Sequence, residues 1–256
     1  MMNKLPKYYW LLILVLLGIC SSFQQKKIFN QNISASVKII FINNVKGNKI
    51  VLNDSLYANP FGEKYNITKL RYYVSNIELK KANNFFKEKN SYHLIDESEP
   101  GSKVINLSLP EGNYNQLQFL LGVDSLHNVS GAQTDDLDPA KDMFWTWNSG
   151  YVMAKMEGNS PASNQVNNKF EYHIGGFSGP NNVIKEIHLN FPGNTFHFAA
   201  NKRYEIIINA DIDAWWQNPH DIKISEHANI TSPGENAKNI SDNYANMFHI
   251  EKVIVE

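Results

Sequence analysis

Eight histidines and a single cysteine set the chemistry open to this chain of 256 residues. With Cys20 alone, neither an internal disulfide nor a cysteine-rich zinc site can form, so metal ligation falls to imidazole. His173 is the first candidate. In Phe170-Glu-Tyr-His173-Ile-Gly-Gly176 the residues Phe170, Tyr172 and Ile174 alternate to one side of an extended segment, which turns His173 to the other. A histidine so placed either ligates or sits hydrogen-bonded on a solvated face. His127 is the second, in the loop Asp124-Ser-Leu-His-Asn128 just after a strand-like run, where ligands can converge, although a polar loop also accommodates histidine without purpose. His188, His197, His220 and His249 are isolated, and no short-spaced histidine pair stands among them.

The other chemically suggestive stretch is Met143-Phe-Trp145-Thr-Trp147-Asn-Ser-Gly-Tyr151, the densest aromatic run in the chain. In extended backbone Trp145 and Trp147 point to the same side. Asn148, Ser149 and Gly150 break the run before Tyr151 to Glu157 resumes it. Two tryptophans can be core ballast as readily as part of a site. Upstream, Asp135, Asp136, Asp138 and Asp142 could offer oxygen to calcium, but the spacing is not that of an EF-hand and its glycine is missing; a solvated loop accounts for them. No Gly-x-Ser-x-Gly elbow and no phosphate-cradling glycine loop occurs, so no enzymatic turnover is expected.

The elements that must position these residues read as strands. Val37, Ile39 and Phe41 share a face, as do Leu117, Phe119, Leu121 and Val123, and as do Tyr204, Ile206, Ile208 and Ala210. Leu70, Tyr72 and Val74 alternate likewise, but Ile77 and Leu79 have the opposite parity, which predicts a bulge near Ser75-Asn76. Short strands with turn signals between them and no long helical periodicity make the chain all-β, an antiparallel β-sandwich with a few short helical segments. Ser241 to Phe248 is the best helix candidate, and Asp213-Ala-Trp-Trp-Gln217 another turn.

The amino terminus carries an address: Lys4 and Lys7, an apolar run from Leu11 to Ile19, then Cys20-Ser-Ser22. This predicts export, with a signal peptide over 1-22 or a lipoprotein signal that anchors Cys20 to a membrane, a polar tether over 23-35 and one domain over 36-256. A formal charge of -1 and 43% hydrophobic residues describe an ordinary globular chain and exclude a nucleic-acid partner.

Several separated stretches together resemble the copper-binding protein MbnP-like domain family. These are Met143 to Glu157, Leu121-Gly-Val123, Phe170 to Gly176, Phe61 to Thr68, Leu70 to Ile77, and Asp242-Asn-Tyr-Ala-Asn-Met-Phe248. They span nearly all of the chain beyond its first thirty-odd residues. The resemblance implies a bacterial periplasmic or surface β-protein that binds copper through histidine, in some relatives beside an oxidised tryptophan, and in some alongside a haem peroxidase. His173 falls in the family's Phe-x-x-His-x-Gly pattern, and Trp145 and Trp147 fall in its aromatic segment. Copper(I) favours soft or imidazole donors, so the expected site is His173 with His127 and a neighbouring tryptophan. The competing expectation is a surface module that has lost the metal and binds carbohydrate or protein through exposed faces of Trp145, Trp147, Trp215 and Trp216.

Overall fold

The computed structural model describes residues 34–256 except Asn83, Ala132, Trp147 and Asn148. The expected leader, its Cys20, most of the tether and Trp147 lie outside the described residues. Strand β1 (Ser34–Val45) begins two residues inside the stretch expected as tether, with Val37, Ile39 and Phe41 buried between more exposed neighbours.

Two sheets carry the chain. The five-stranded sheet runs β18 (Phe248–Val255), β16 (Arg203–Asp211), β1, β2 (Asn48–Lys49), with β8 (Val104–Pro110) also paired to β1. The nine-stranded sheet runs β14 (Lys185–Asn190), β10 (Gln116–Leu121), β5 (Lys69–Lys81), β12 (Gly150–Asn159), β13 (Lys169–Gly175), β17 (Asn229–Ile230). To it are added β6 (Asn84–Lys87) and β7 (Tyr92–Asp96) along β5, and β11 (Phe144–Thr146) along β12. Two small ribbons, β3 (Tyr57–Ala58) with β4 (Lys64–Tyr65) and β9 (Gly112–Tyr114) with β15 (Phe196–Phe198), complete the strands. Pairing is antiparallel except for β1 with β16, in register from Ser36↔Arg203 to Asn44↔Asp211, and the short β13–β17 pair.

The sandwich closes where inward rings of the two sheets meet. Phe41 of β1 stands edge-on to Phe119 of β10 at 6.0 Å and to Tyr72 of β5 at 6.3 Å, geometry that suits the ring quadrupoles. The parity change in β5 is real: Asn76 adopts a left-handed φ of 53°, the ladder to β10 slips between Gln118 and Leu120, and Leu70, Tyr72, Val74, Ile77 and Leu79 are all buried.

Two expectations are corrected. The helix near the end is α2 (Glu235–Tyr244), preceded by α1 (Ser125–Asn128) earlier in the chain, and not 241–248. Ala237, Ile240 and Tyr244 supply the buried stripe one helical repeat earlier than expected, and Phe248 is drawn into the ladder opposite Ala210. Trp215 and Trp216 do form a 3-10 turn, Ile212–Trp216, but both are 0% exposed. Trp216 Nε1–H donates to the Tyr65 hydroxyl at 3.1 Å and Trp215 packs on Tyr244 at 5.0 Å. They are core, and the exposed aromatic row that sugar or protein binding would need is not formed by them.

The described residues of a covering segment between β10 and β11 lie on the nine-stranded sheet. Tyr73 alternates with the inward Tyr72, and its hydroxyl donates to Asp136 O at 2.9 Å; the segment therefore sits on the face turned away from the sandwich core. Tyr151 O–H to Leu137 O, 2.7 Å, and Val152 N–H to Met143 O, 2.9 Å, hold it over β12.

Candidate functional site

His173 lies on β13 with its side chain on the outer face, as its alternation with Phe170, Tyr172 and Ile174 requires. Its Nε2 is 2.9 Å from Oε1 of Glu157 on β12. Lys69 stands 3.5 Å from the other oxygen of that carboxylate. The hydrogen bond from His173 holds the Glu157 carboxyl below its ordinary range, against its burial, and the Lys69 charge assists. Directly across the ladder from His173 is Lys155, whose ammonium is almost wholly buried, donates to Asp142 O and sits 3.0 Å from Asp142 Oδ2. Lys69 reaches the same Asp142 oxygen at 3.3 Å. A buried ammonium is tolerable only when paired in this way.

Trp145 belongs to the same place. A side chain on Gly175 would begin 2.5 Å from the Trp145 ring, so the indole lies flush on the backbone of β13 at a position only glycine permits. Gly175 is two residues from His173 and faces the same way. Trp145 is thus the described tryptophan that lies against β13 near His173.

His127 is positioned differently. Asp124 caps α1, accepting from His127 N–H at 3.0 Å. Its two oxygens also lie 3.0 and 3.1 Å from His127 Nδ1. Tyr92 of β7 packs its ring on the imidazole at 4.3 Å, places its hydroxyl 2.7 Å from the same Nδ1, and donates in a short hydrogen bond to Asp124. Burial works against ionisation of Asp124, but hydrogen bonds from Tyr92, His127 and Asn76 outweigh it and bring its carboxyl down to about 2. His127 borders a polar cleft of about 250 Å³ that also takes in Asn90, Thr134 and Asp136. The next residue, Asn128, anchors α1 to the sheet: its amide donates to Val123 O and Asp124 O at 2.7 and 2.9 Å, and its Oδ1 accepts from Tyr151 N–H at 2.8 Å.

The two histidines thus stand on separate carboxylate braces, His127 within the covering segment and His173 on the sheet strand β13. Among the described residues no group of three or more His, Cys, Asp or Glu gathers round one point. What the described residues offer copper is therefore two imidazoles, each engaged through one ring nitrogen and with no described hydrogen bond at the other. That donor chemistry fits a soft ion and not a hard one, which would need converging oxygens. The acidic loop holds no calcium cluster among the described residues; Asp136 accepts from Leu94 N–H at 3.1 Å and Asp138 caps a turn at Ala140. The remaining candidates are peripheral: His197 meets Asn113 at 2.9 Å, His220 stands 3.5 Å from Asp242, and His188 and His249 lie on exposed strand positions.

Glu157, Asp124, Tyr92 and Asn128 were not singled out beforehand. For Glu157 a signal existed, since it alternates with Lys155 and both face as His173 does, but only once β12 is known to pair with β13. Tyr92 lies 35 residues from His127 and carried no signal.

The chain is a two-sheet β-sandwich with one face roofed by a segment that carries His127 and leads into Trp145 of β11. The family model of MbnP matches residues 34–235, and the chain belongs to the MbnP family. It is similar to the solved structure of MbnP from Methylosinus trichosporium, with 15% identity and a TM-score of 0.47 over 87% of this chain and 99% of that one. No curated protein matches.

Proposed function

We propose that this protein binds copper, with His173 as the principal donor, His127 as the second, and Trp145 as the aromatic neighbour. The observation that carries the reading is the shared outer face of β13, where an imidazole braced by Glu157 stands two residues from a glycine covered by an indole, in a member of the MbnP family. Bound copper would supply a one-electron couple. The chain's own residues do the rest: Glu157 orients the His173 ring, the Lys155–Asp142 pair ties the covering segment to β12, and Trp145 shields the strand from water. The role this reading gives the protein is binding and handling of the metal, without turnover of its own. The leader-like first 22 residues support an exported protein, either cleaved after Ser22 or anchored by lipid at Cys20, and a haem peroxidase is the redox partner this reading names.

The test is copper content and Cu(I) affinity of the chain beginning after Ser22, with intact mass. About one copper per chain, bound at least ~10-fold more weakly by His173→Ala, supports the reading. Binding no better than that of a histidine-bearing control, or an affinity unchanged by the substitution, overturns it.

A further inference from the structure

We infer that Glu157 and Asp124 are positioning residues that lock the two histidines in opposite tautomers, so that His173 presents Nδ1 and His127 presents Nε2 as the free donor atom. The functional consequence rests on the copper reading; the tautomers do not.

An ionised carboxylate only accepts. Glu157 faces the Lys69 ammonium at 3.5 Å with one oxygen and His173 Nε2 at 2.9 Å with the other, so it meets His173 as an acceptor and the proton lies on Nε2; a neutral ring then carries its lone pair on Nδ1. At His127 the geometry is reversed. Both Asp124 oxygens face Nδ1, and a bare nitrogen lone pair there would oppose two acceptor-only oxygens. The single phenolic hydrogen of Tyr92 is given to Asp124, which leaves the Tyr92 oxygen free to accept. Nδ1 therefore bears the hydrogen, shared between Asp124 and Tyr92, and Nε2 is bare. A carboxylate behind a ligating imidazole is the usual means of fixing which nitrogen faces a metal and raising its basicity. Here two such carboxylates come from unrelated elements, β12 and the cap of α1, and they act on opposite ring atoms.

Two-bond proton–nitrogen correlation spectra of the metal-free, ¹⁵N-labelled chain at pH 8 read the tautomers directly. The expected spectrum shows His173 protonated at Nε2 and His127 at Nδ1, each as a single form. Glu157→Ala converts His173 alone to an exchanging mixture, and Asp124→Asn, which can keep the cap on His127 N–H but no longer sets two acceptor-only oxygens against Nδ1, does the same to His127 alone; in both variants the fold is checked by the unchanged signals of the other histidine. A wild-type His173 protonated at Nδ1, or rings already exchanging in the wild type, overturns the inference. Anaerobic Cu(I) titration of the same sample separates the two readings. Shifts centred on His173 Nδ1 and His127 Nε2, with affinity down ~10- to 100-fold in Glu157→Ala, support both. Locked tautomers with neither nitrogen shifting uphold the lock and remove copper; shifts at the opposite nitrogens overturn the lock and keep copper.

Discussion

Trp145 and the pair Trp215–Trp216 carry the same side chain into opposite surroundings. Trp216 is enclosed by Tyr65, Phe170 and Tyr172, with ring centroids 4.8, 6.1 and 5.9 Å away, and its N–H is matched by the Tyr65 hydroxyl. Trp145 keeps one side toward solvent and lays the other on bare strand backbone at Gly175. One indole is surrounded by side chains chosen to fit it; the other is given room by the removal of a side chain. A tryptophan opposite a strand glycine, beside a braced histidine, is arranged for access, whereas a tryptophan ringed by aromatics is arranged for stability.

This contrast predicts a graded set of outcomes. Trp216→Ala is expected to cost ~3–5 kcal/mol in urea-induced unfolding, because both packing and a buried hydrogen bond are lost. A smaller loss, ~1–3 kcal/mol, is expected for Gly175→Val, which drives a branched side chain into the Trp145 ring; its tryptophan emission shifts to the red as the indole is lifted into water. Trp145→Ala should cost about 1 kcal/mol while altering Cu(I) affinity, and equal stability losses at Trp145 and Trp216 would erase the distinction. The smallest effect is electrostatic and lies at the core side. Burial pushes the Glu63 carboxyl up, but hydrogen bonds from Ser225, Asn59 and Ile224, including backbone N–H donors at 2.7 and 3.0 Å, hold it below its ordinary value. Its contribution is present above about pH 4.3 and fades as the pH falls through the lowered folded value. Glu63→Gln is expected to flatten the acid limb of the stability profile, and an unaltered limb would show that the clasp between the loops at 59–63 and 224–225 does not hold them.

The sandwich was legible because its strands are amphipathic along their length. The alternation in β1, β10 and β16 named the inward residues, and the broken parity between Val74 and Ile77 located the bulge at Asn76. Helix ends were not legible, because the residues after Tyr244 satisfy a helical stripe and a strand ladder equally well until Ala210 is known to face Phe248. Nor were the surroundings of Trp215 and Trp216, since burial on all sides requires Tyr65, Phe170 and Tyr244, which come from three distant segments. Of the candidate site, the orientation of His173 was written in its own strand. Its carboxylate brace and the indole two residues away depended on cross-strand register and on a covering segment with no periodicity to announce it.

The parallel pairing of β1 with β16 also orders events in time. Ile39 faces Ile206 and Asn44 faces Asp211, so the first strand finds its long neighbour on that side only after about four-fifths of the chain has been laid down. The edge strand β18 must then join β16 with the last eight residues before Glu256. The hairpins of β5 with β6 and β7, of β12 with β13 and of β1 with β2 can form from nearby sequence, while the pairing of β1 with β16 waits on a contact that spans most of the polypeptide. The nine-stranded sheet and its roof are thus expected to organise first and the five-stranded sheet to set the overall folding rate, a slow step typical of long-range pairing. Loss of β18 would strand β16 as an open edge beside β1 and expose Ile206 and Ile208, making the end of the chain the guard of its beginning.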